Sequence, residues 1–397
     1  MNDIWLQSLL VLALWVLLYH HIIYPILLDR LARARRGASR PTSPADVPAD
    51  RLPNVAVVMP AYNEERYIAE KISNLAALDY PRDRLRIVIA LDGSRDATRE
   101  RAIEALSRLP PGHGIELIVF PRNRGKVAVL NDCISDVDAE IVALTDTSAL
   151  MPADCLRKVA AHMASPDVGV VFATYNLIDA GSEGERRYTD YQTKLKDDES
   201  SLDSAIGGHG ALYFIRRSCW QPMPPDTIND DFILPMSIVA SGSRGVYDRS
   251  IVASELERTQ SEQEFKRRVR IGAGNMQQTL RLTKLFDPRR PWLAFAFASG
   301  KGSRPFMPFV GLLAILLTAI LAGLGHTVYL VLLLIEMSAL AAAVIVILVR
   351  TPSTPRLLSW LGYLVEGHFA SLIGSLQLML GIRLKHWQPR VDDAVQH

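Results

Sequence analysis

Cysteine is scarce in this chain. Cys133, Cys155 and Cys219 are the full complement, an odd number with no Cys-x-x-Cys among them. That argues against a disulfide framework and a cysteine zinc site, and it suits a reducing compartment. A surplus of one charge is absent too. The 44 Lys and Arg are nearly balanced by 42 Asp and Glu, which gives no support for a broad nucleic-acid surface. No Gly-x-Gly-x-x-Gly follows the first strand pattern, and no Gly-Lys-Ser/Thr loop occurs. Dinucleotide dehydrogenases and P-loop proteins therefore lack their signatures here.

Hydrophobic residues make up 49 % of the 397, and their uneven distribution is what informs. Ile4 to Leu28 is an apolar stretch broken by Gln7, His20 and His21, long enough to cross a bilayer. It follows Asp3 and ends in bulky residues and arginines, unlike a cleaved signal peptide, so it reads as a retained anchor. Arg30, Arg33, Arg35, Arg36 and Arg40 follow and should hold that end in the cytoplasm. The Pro-, Ala-, Ser- and Asp-rich run from Arg36 to Pro53 reads as a linker. Three more apolar blocks close the chain, at Phe306–Leu324, Thr327–Val349 and Ser359–Ile382. The short aromatic stretch Pro291–Phe297 before them reads as an interfacial segment. One anchor plus three spans would leave the C-terminus outside, yet Arg383, Lys385 and Arg390 favour the inside. Two topologies stay open: the last block re-enters without crossing, or the basic tail lies outside.

The middle of the chain alternates strand and helix patterns. Asn54–Met59 is an apolar run ending in Pro60-Ala61-Tyr62-Asn63-Glu64, and Ile87–Leu91 is another ending in Asp92-Gly93-Ser94. Further strands are expected at Ile115–Phe120, Glu140–Thr145, Val168–Thr174 and Ala211–Ile215, with a helix over Lys126–Ile134. Such alternation predicts an α/β fold with a mostly parallel sheet covered on both faces. In open α/β sheets, loops at the strand ends hold small molecules. Two adjacent strand ends lined with acceptors suit a base and a ribose. Tyr62 can stack and Glu64 can accept, while Asn63 alternatively caps the next helix.

At these residues the chain resembles glycosyltransferase family 2, nucleotide-sugar enzymes whose first two strands end in Pro-x-Tyr-Asn-Glu and Asp-Asp-Gly-Ser. Here Leu91 stands in place of the first Asp of the second motif. The resemblance spans about residues 54 to 300 and implies a GT-A-type, Rossmann-like domain binding a UDP-sugar, with Pro60, Tyr62, Glu64 and Asp92 at the donor. Asn123-Arg124-Gly125-Lys126 is similar to the family's Asn-x-Gly-Lys, which implies a donor role for Lys126. On its own it is a solvated basic turn. Thr145-Asp146-Thr147-Ser148 stands where the family has Asp-x-Asp, implying Asp146 and Ser148 as ligands of Mg2+ or Mn2+. Hard carboxylate oxygens hold such a cation, although Ser148 contributes no charge. The other reading of Asp146 is a cap for the helix near Pro152.

The glycine-rich stretch Gly207-Gly208-His209-Gly210, before Tyr213 and Arg216-Arg217, resembles the acceptor loop and implies Gly208, His209 and Gly210 as acceptor contacts. His209 reads equally as a surface residue. Asp230-Asp231 opens a helical pattern, where paired acids commonly cap and meet the dipole. The family's equivalent second acid is the catalytic base, which implies Asp231 as base and Asp230 as its neighbour. Arg267-x-x-Arg270-Ile271, in a helix expected over Gln263–Thr283, keeps the Arg of the processive synthases' Gln-x-x-Arg-Trp but neither Gln nor Trp. Arg267 and Arg270 lie three apart on one face and can grip a diphosphate. A basic membrane-surface helix is the alternative.

The expected division is 1–30 anchor, 31–53 linker, 54–284 cytoplasmic transferase domain, 285–304 interfacial segment, 305–382 membrane helices and 383–397 tail. By resemblance to poly-N-acetylglucosamine, hyaluronan and cellulose synthase-like enzymes, the chain is expected to be a multi-pass enzyme of the inner or plasma membrane. It would move a sugar from a UDP-sugar to a growing polysaccharide, among membrane lipids and without nucleic acid. The alternatives are transfer of one sugar to a polyprenyl phosphate or glycolipid, and a non-catalytic nucleotide-sugar-binding membrane protein.

Overall fold

The computed structural model describes residues 3–38, 47–178, 183–257, 261–349 and 355–382. In chain order the strands are β1 (Val55–Ala61), β2 (Leu85–Asp92), β3 (Ile115–Phe120), β4 (Ile141–Thr145), β5 (Ala149–Leu150), β6 (Val168–Leu177), β7 (Leu212–Arg216) and β8 (Arg244–Glu255). The α-helices are α1 (Ile4–Leu18), α2 (Tyr24–Ala38), α3 (Ile68–Ala76), α4 (Thr98–Ser107), α5 (Lys126–Asp136), α6 (Cys155–Met163), α7 (Glu183–Leu202), α8 (Asp230–Ala240), α9 (Ser261–Arg281), α10 (Pro291–Ser299), α11 (Met307–Gly323), α12 (Thr327–Val349) and α13 (Arg356–Met379). They form two compact units. Residues 31–259 and 282–293 contain the sheet, and the described residues of 1–30, 260–281 and 294–384 are mainly helical.

The sheet order is β3-β2-β1-β4-β7-β6-β8-β5. β1 through β4 pair in parallel. The runs of β1, β2 and β4 lack the alternation of a half-exposed strand, whereas in β3, at the edge, only Ile115 is buried. Every residue of β1 is buried, as a parallel strand covered on both faces requires. Beyond β4 the expectation of a mostly parallel sheet gives way. β7 runs antiparallel to β4 and β6, and β8 runs parallel to β6. β8 escapes the sequence pattern because Arg244, Asp248, Arg249 and Ser250 interrupt it. Its register against β6 shifts between Ala173 and Thr174, the mark of a bulge.

From β1 the chain steps outward to β2 and β3, then crosses back to place β4 on the other side of β1. The gap between β1 and β4 is thus the topological switch point, beyond whose carboxyl ends a crevice opens. Ala61 pairs with Leu91, and Val58 with Leu144, so the loops after β1, β2 and β4 lie at one edge.

In the helical unit, Leu6, Leu10 and Ala13 of α1 pack on Ala314, Leu317 and Leu321 of α11. Outward residues such as Val11, Leu12, Val328 and Leu348 are exposed. Among the described residues, Ile4–Arg36, Pro291–Gly323 and Thr327–Val349 are long and apolar enough to cross a membrane. α13, expected as a further span, carries Glu366 and His368 and is not among them. It packs on α9, where a Cβ on Gly374 would meet the Val269 carbonyl oxygen at 2.1 Å. Helix backbones in such contact need glycine. α2 continues to Ala38, and residues 39–46 of the expected linker lie outside the described residues, as do 383–397 of the expected tail.

Candidate active site

The loops after β1 and β2 are tied to each other. Asn63 has a φ of +55°, a left-handed conformation that Asn tolerates. Its side-chain oxygen accepts from the Arg95 amide at 2.8 Å, and its own amide donates to Ser94 Oγ at 3.2 Å. Glu64 N–H donates to Thr98 Oγ1 at 2.7 Å. Tyr67, not Asn63, occupies the N-cap position of α3. The capping alternative for Asn63 therefore gives way to a bridge that fixes Tyr62 and Glu64 at the strand edge.

Asp92 is buried, and it shapes the next loop. Its two oxygens accept from the amides of Arg124, at 2.7 Å, and Gly125, at 2.8 Å. Gly93 follows with a φ of +67°, and a Cβ there would lie 2.4 Å from the backbone of Arg122 and Asn123. Only glycine admits that approach. The Asp-Gly pair thus delivers Gly125, at a φ of +89°, and Lys126, the first residue of α5.

Lys126 is not a solvated turn lysine. Its Nζ lies 2.9 Å from Asp146 Oδ1 and 3.3 Å from Asp230 Oδ2. Burial works against its charge, but the carboxylates of Asp146, Asp230 and Asp231 outweigh it and hold the ammonium well above its ordinary range. Loops after β3 and β4 and the start of α8 therefore converge on one cation. Asp146 remains accessible, with 39 % of its side chain exposed. It does not cap α6, whose N-cap is Asp154. Ser148 is only 6 % exposed.

Below this loop sits Lys71, a residue that sequence reasoning passed over. It is fully buried and donates to Thr145 Oγ1 at 2.8 Å and to the Ala149 carbonyl. Burial lowers its pKa from 10.5 to about 7, against the pull of Asp146, Cys155 and Glu255. A signal was present, because Lys71 falls on the apolar face that Ile68, Ile72 and Leu75 define in α3.

Asn229 takes the N-cap position of α8, with Asp230 and Asp231 in its first turn. A Cβ on Gly210 would lie 2.8 Å from Asp231 Oδ2, so the glycine leaves that carboxylate its place. Gly208 is required differently, since a Cβ there would meet the Phe172 ring at 2.3 Å. The His209 ring stacks on Tyr175, with centroids 3.5 Å apart and planes 10° apart. Tyr213 was also missed as a site residue. Its hydroxyl is buried, with no hydrogen-bond partner among the described residues. Burial, then Asp230, raise its pKa well above the usual value. With Pro60, Lys126, Asp146 and Gly210 it lines a hollow of about 10 Å³, enough for roughly one water. A larger hollow of about 310 Å³ lies by Gly242, Lys284 and Arg290, away from every motif residue. Arg267 and Arg270 stand on α9, in the helical unit.

Among the described residues, no group of three or more His, Cys, Asp or Glu is arranged to hold a metal. Asp146 fits a hard cation that takes most of its oxygens from a bound diphosphate.

Comparison with known proteins bears on the family and the fold. The family described as "Glycosyl transferase family 2" matches residues 56–253. An N-acetylglucosaminyltransferase of Rhizobium meliloti is 23 % identical over 330 residues, 77 % of this chain and 74 % of that one. A beta-monoglucosyldiacylglycerol synthase of Synechocystis sp. is 30 % identical over 142 residues, 36 % of this chain but 29 % of its own length. Among solved structures, a mannosyltransferase from Pyrobaculum calidifontis, in complex with GDP-Man and Mn2+, superimposes with a TM-score of 0.71 at 22 % identity. It covers 94 % of this chain and 99 % of that one, and it shows the GT-A fold. With its strand-end loops converging at the switch point, the chain belongs, through residues 56–253, to glycosyltransferase family 2 and is a glycosyltransferase.

Proposed function

We propose that this enzyme is membrane-embedded and inverting, and moves a sugar from a UDP-sugar to a growing polysaccharide, with its sheet unit in the cytoplasm. The observation that carries the reading is the meeting of Asp146, Lys126 and Asp230 beside Asp231 at the β1–β4 switch point. The acceptor hydroxyl attacks C1 on the face opposite the diphosphate. Its proton passes to the Asp231 carboxylate. As the new C1–O bond forms, the bond from C1 to the phosphate oxygen breaks, and its electron pair leaves with UDP. Lys126 stays protonated throughout and offsets charge on the departing oxygens. Asp146 would hold Mg2+ or Mn2+, which would supply further neutralisation of the diphosphate when bound. Tyr62 and Glu64 take the nucleoside, Asp92 holds the loop that presents Lys126, and Gly208, His209 and Gly210 face the acceptor.

A lipid acceptor is the second reading. It is favoured by the 30 % identity to a synthase named for glucosyldiacylglycerol and by the missing Gln and Trp around Arg270. Incubating the purified chain with labelled UDP- and GDP-sugars, Mn2+ and native lipids separates the readings. A ladder supports the polymer, a single glycolipid supports the lipid, and transfer from GDP-sugars alone refutes the UDP assignment.

A further inference from the structure

Lys71 has no part in glycosyl transfer as derived above, yet it sits at the root of the turn that carries Asp146. Its Nζ donates to Thr145 Oγ1, at 2.8 Å, and to the Ala149 carbonyl. Thr145 ends β4 and Ala149 opens β5. The amine therefore bridges the two ends of the turn Asp146-Thr147-Ser148. With or without its third proton it keeps two N–H donors, so the tie does not depend on its charge. A lysine here is otherwise costly. It is fully buried, on the face of α3 that also holds Ile68, Ile72 and Leu75. A methionine would fill the same space with no strong polar group to satisfy. What the amine adds is the pair of hydrogen bonds to the turn.

The rest of the turn is anchored in the same core. The Thr145 hydroxyl donates to the Ala211 carbonyl at 3.0 Å, and that carbonyl also accepts from the Asp146 amide at 3.1 Å. The Ser148 carbonyl accepts from the Leu256 amide at 2.9 Å. Thr145, Thr147 and Ser148 are buried, while the Asp146 side chain stays accessible. One carboxylate thus stands out of a turn whose backbone is fixed from below. Asn74, three residues along α3, grips Met151 as Lys71 grips the turn. Its side chain donates to the Met151 carbonyl at 2.8 Å and accepts from the Met151 amide at 2.9 Å. Met151 lies beyond the turn, so Asn74 shares the packing role of Lys71 without touching either end of the turn.

We infer that Lys71 is a positioning residue for Asp146, fixing the turn so that the carboxylate meets a divalent cation carried by the donor's diphosphate. The inference rests on the proposed reading of Asp146 as that cation's protein ligand. Lys71 acts through Thr145 and Ala149 and touches neither cation nor substrate. Groups that orient a metal ligand in this way typically matter 10–100-fold, as an order of magnitude, in metal affinity or activity.

The test measures Mn2+ affinity of the full chain in the presence of UDP by electron paramagnetic resonance, beside turnover, uridine affinity and melting temperature. Lys71→Met is expected to weaken Mn2+ binding about tenfold or more and to lower kcat more than it raises KM for the donor. Affinity for uridine, which has no phosphate to share with the cation, should stay within about twofold. Thr145→Val removes the acceptor at nearly constant volume and should also weaken Mn2+ binding, while Thr145→Ser, which keeps the hydroxyl, should not. The two Thr145 variants carry the test if Lys71→Met fails to fold. Asn74→Ala is the control for packing, expected to lower the melting temperature and leave Mn2+ affinity unchanged. Unchanged Mn2+ affinity in both Lys71→Met and Thr145→Val overturns the inference, and so does an equal loss in Asn74→Ala. If Asp146→Asn binds Mn2+ as the wild type does, the cation reading falls and the inference with it. If Asp146→Asn loses Mn2+ while Lys71→Met and Thr145→Val keep it, the inference falls alone.

Discussion

Replacing Asp231 by Asn separates its chemical from its structural role. The carboxylate sits in the first turn of α8, with Oδ2 against the space where a Gly210 Cβ would fall. Asn keeps that shape but accepts no proton from a hydroxyl. A positioned general base contributes about 10²–10⁴-fold in rate, or roughly 3–5 kcal/mol of barrier. The structural cost is smaller. Losing a negative charge at a helix start costs about 0.3–1 kcal/mol, and Lys126 keeps its closer partners Asp146 and Asp230. Turnover is therefore expected to fall by at least about two decades while UDP affinity and the melting temperature change little. Asp230→Asn, measured beside it, removes a Lys126 ion pair at 3.3 Å and should weaken donor binding more than it lowers turnover. Near-normal turnover in the Asp231 variant refutes the assignment. A collapse confined to the Asp230 variant moves the base by one residue.

Calorimetry should find Mg2+ or Mn2+ binding weak alone and tighter with UDP, because Asp146 is one acid whose Oδ1 Lys126 already engages; equal tight binding in both conditions contradicts this. Gly93→Ala should destabilise the fold by about 2 kcal/mol or more, since the left-handed backbone alone costs about 1–2 kcal/mol and the new Cβ meets backbone at 2.4 Å; chemical denaturation reads it out. Lys71 gives a pH signature. Its folded pKa of about 7 lies below the ordinary 10.5, so between these values the unfolded chain binds more protons and stability rises with pH; the difference between wild type and Lys71→Met, followed over that window, should carry this rise. Finally, a cysteine at Ser39, within the arginine-rich stretch, should resist an impermeant thiol reagent added outside sealed cells.

Local patterns determined a good deal by themselves. The apolar runs of β1 and β2 and the polar residues that end them are legible because a strand buried on both faces needs continuous hydrophobicity and stops where it must turn. The helical runs at α1, α11 and α12 are legible for a related reason, since a helix exposed to an apolar surround is apolar all round. Asp146, Lys126, Asp230 and Asp231 are each visible as chemistry-bearing residues at element ends. What the sequence does not contain is their convergence. Residues 126, 146 and 230 meet because β4 lies beside β1 and the chain returns to it through β7, and such long-range pairing has no local signature. The same limit hides that the Asp92 carboxylate accepts from the amides of Arg124 and Gly125. It also explains why Lys71 and Tyr213 were passed over: their significance is burial, which depends on what the rest of the chain packs over them. The histidines of the helical unit belong here too. His368 is separated from His20 and His21 by almost the whole chain, and its ring meets that of His21 only because α13 packs beside the turn that follows α1, and packing is decided in three dimensions.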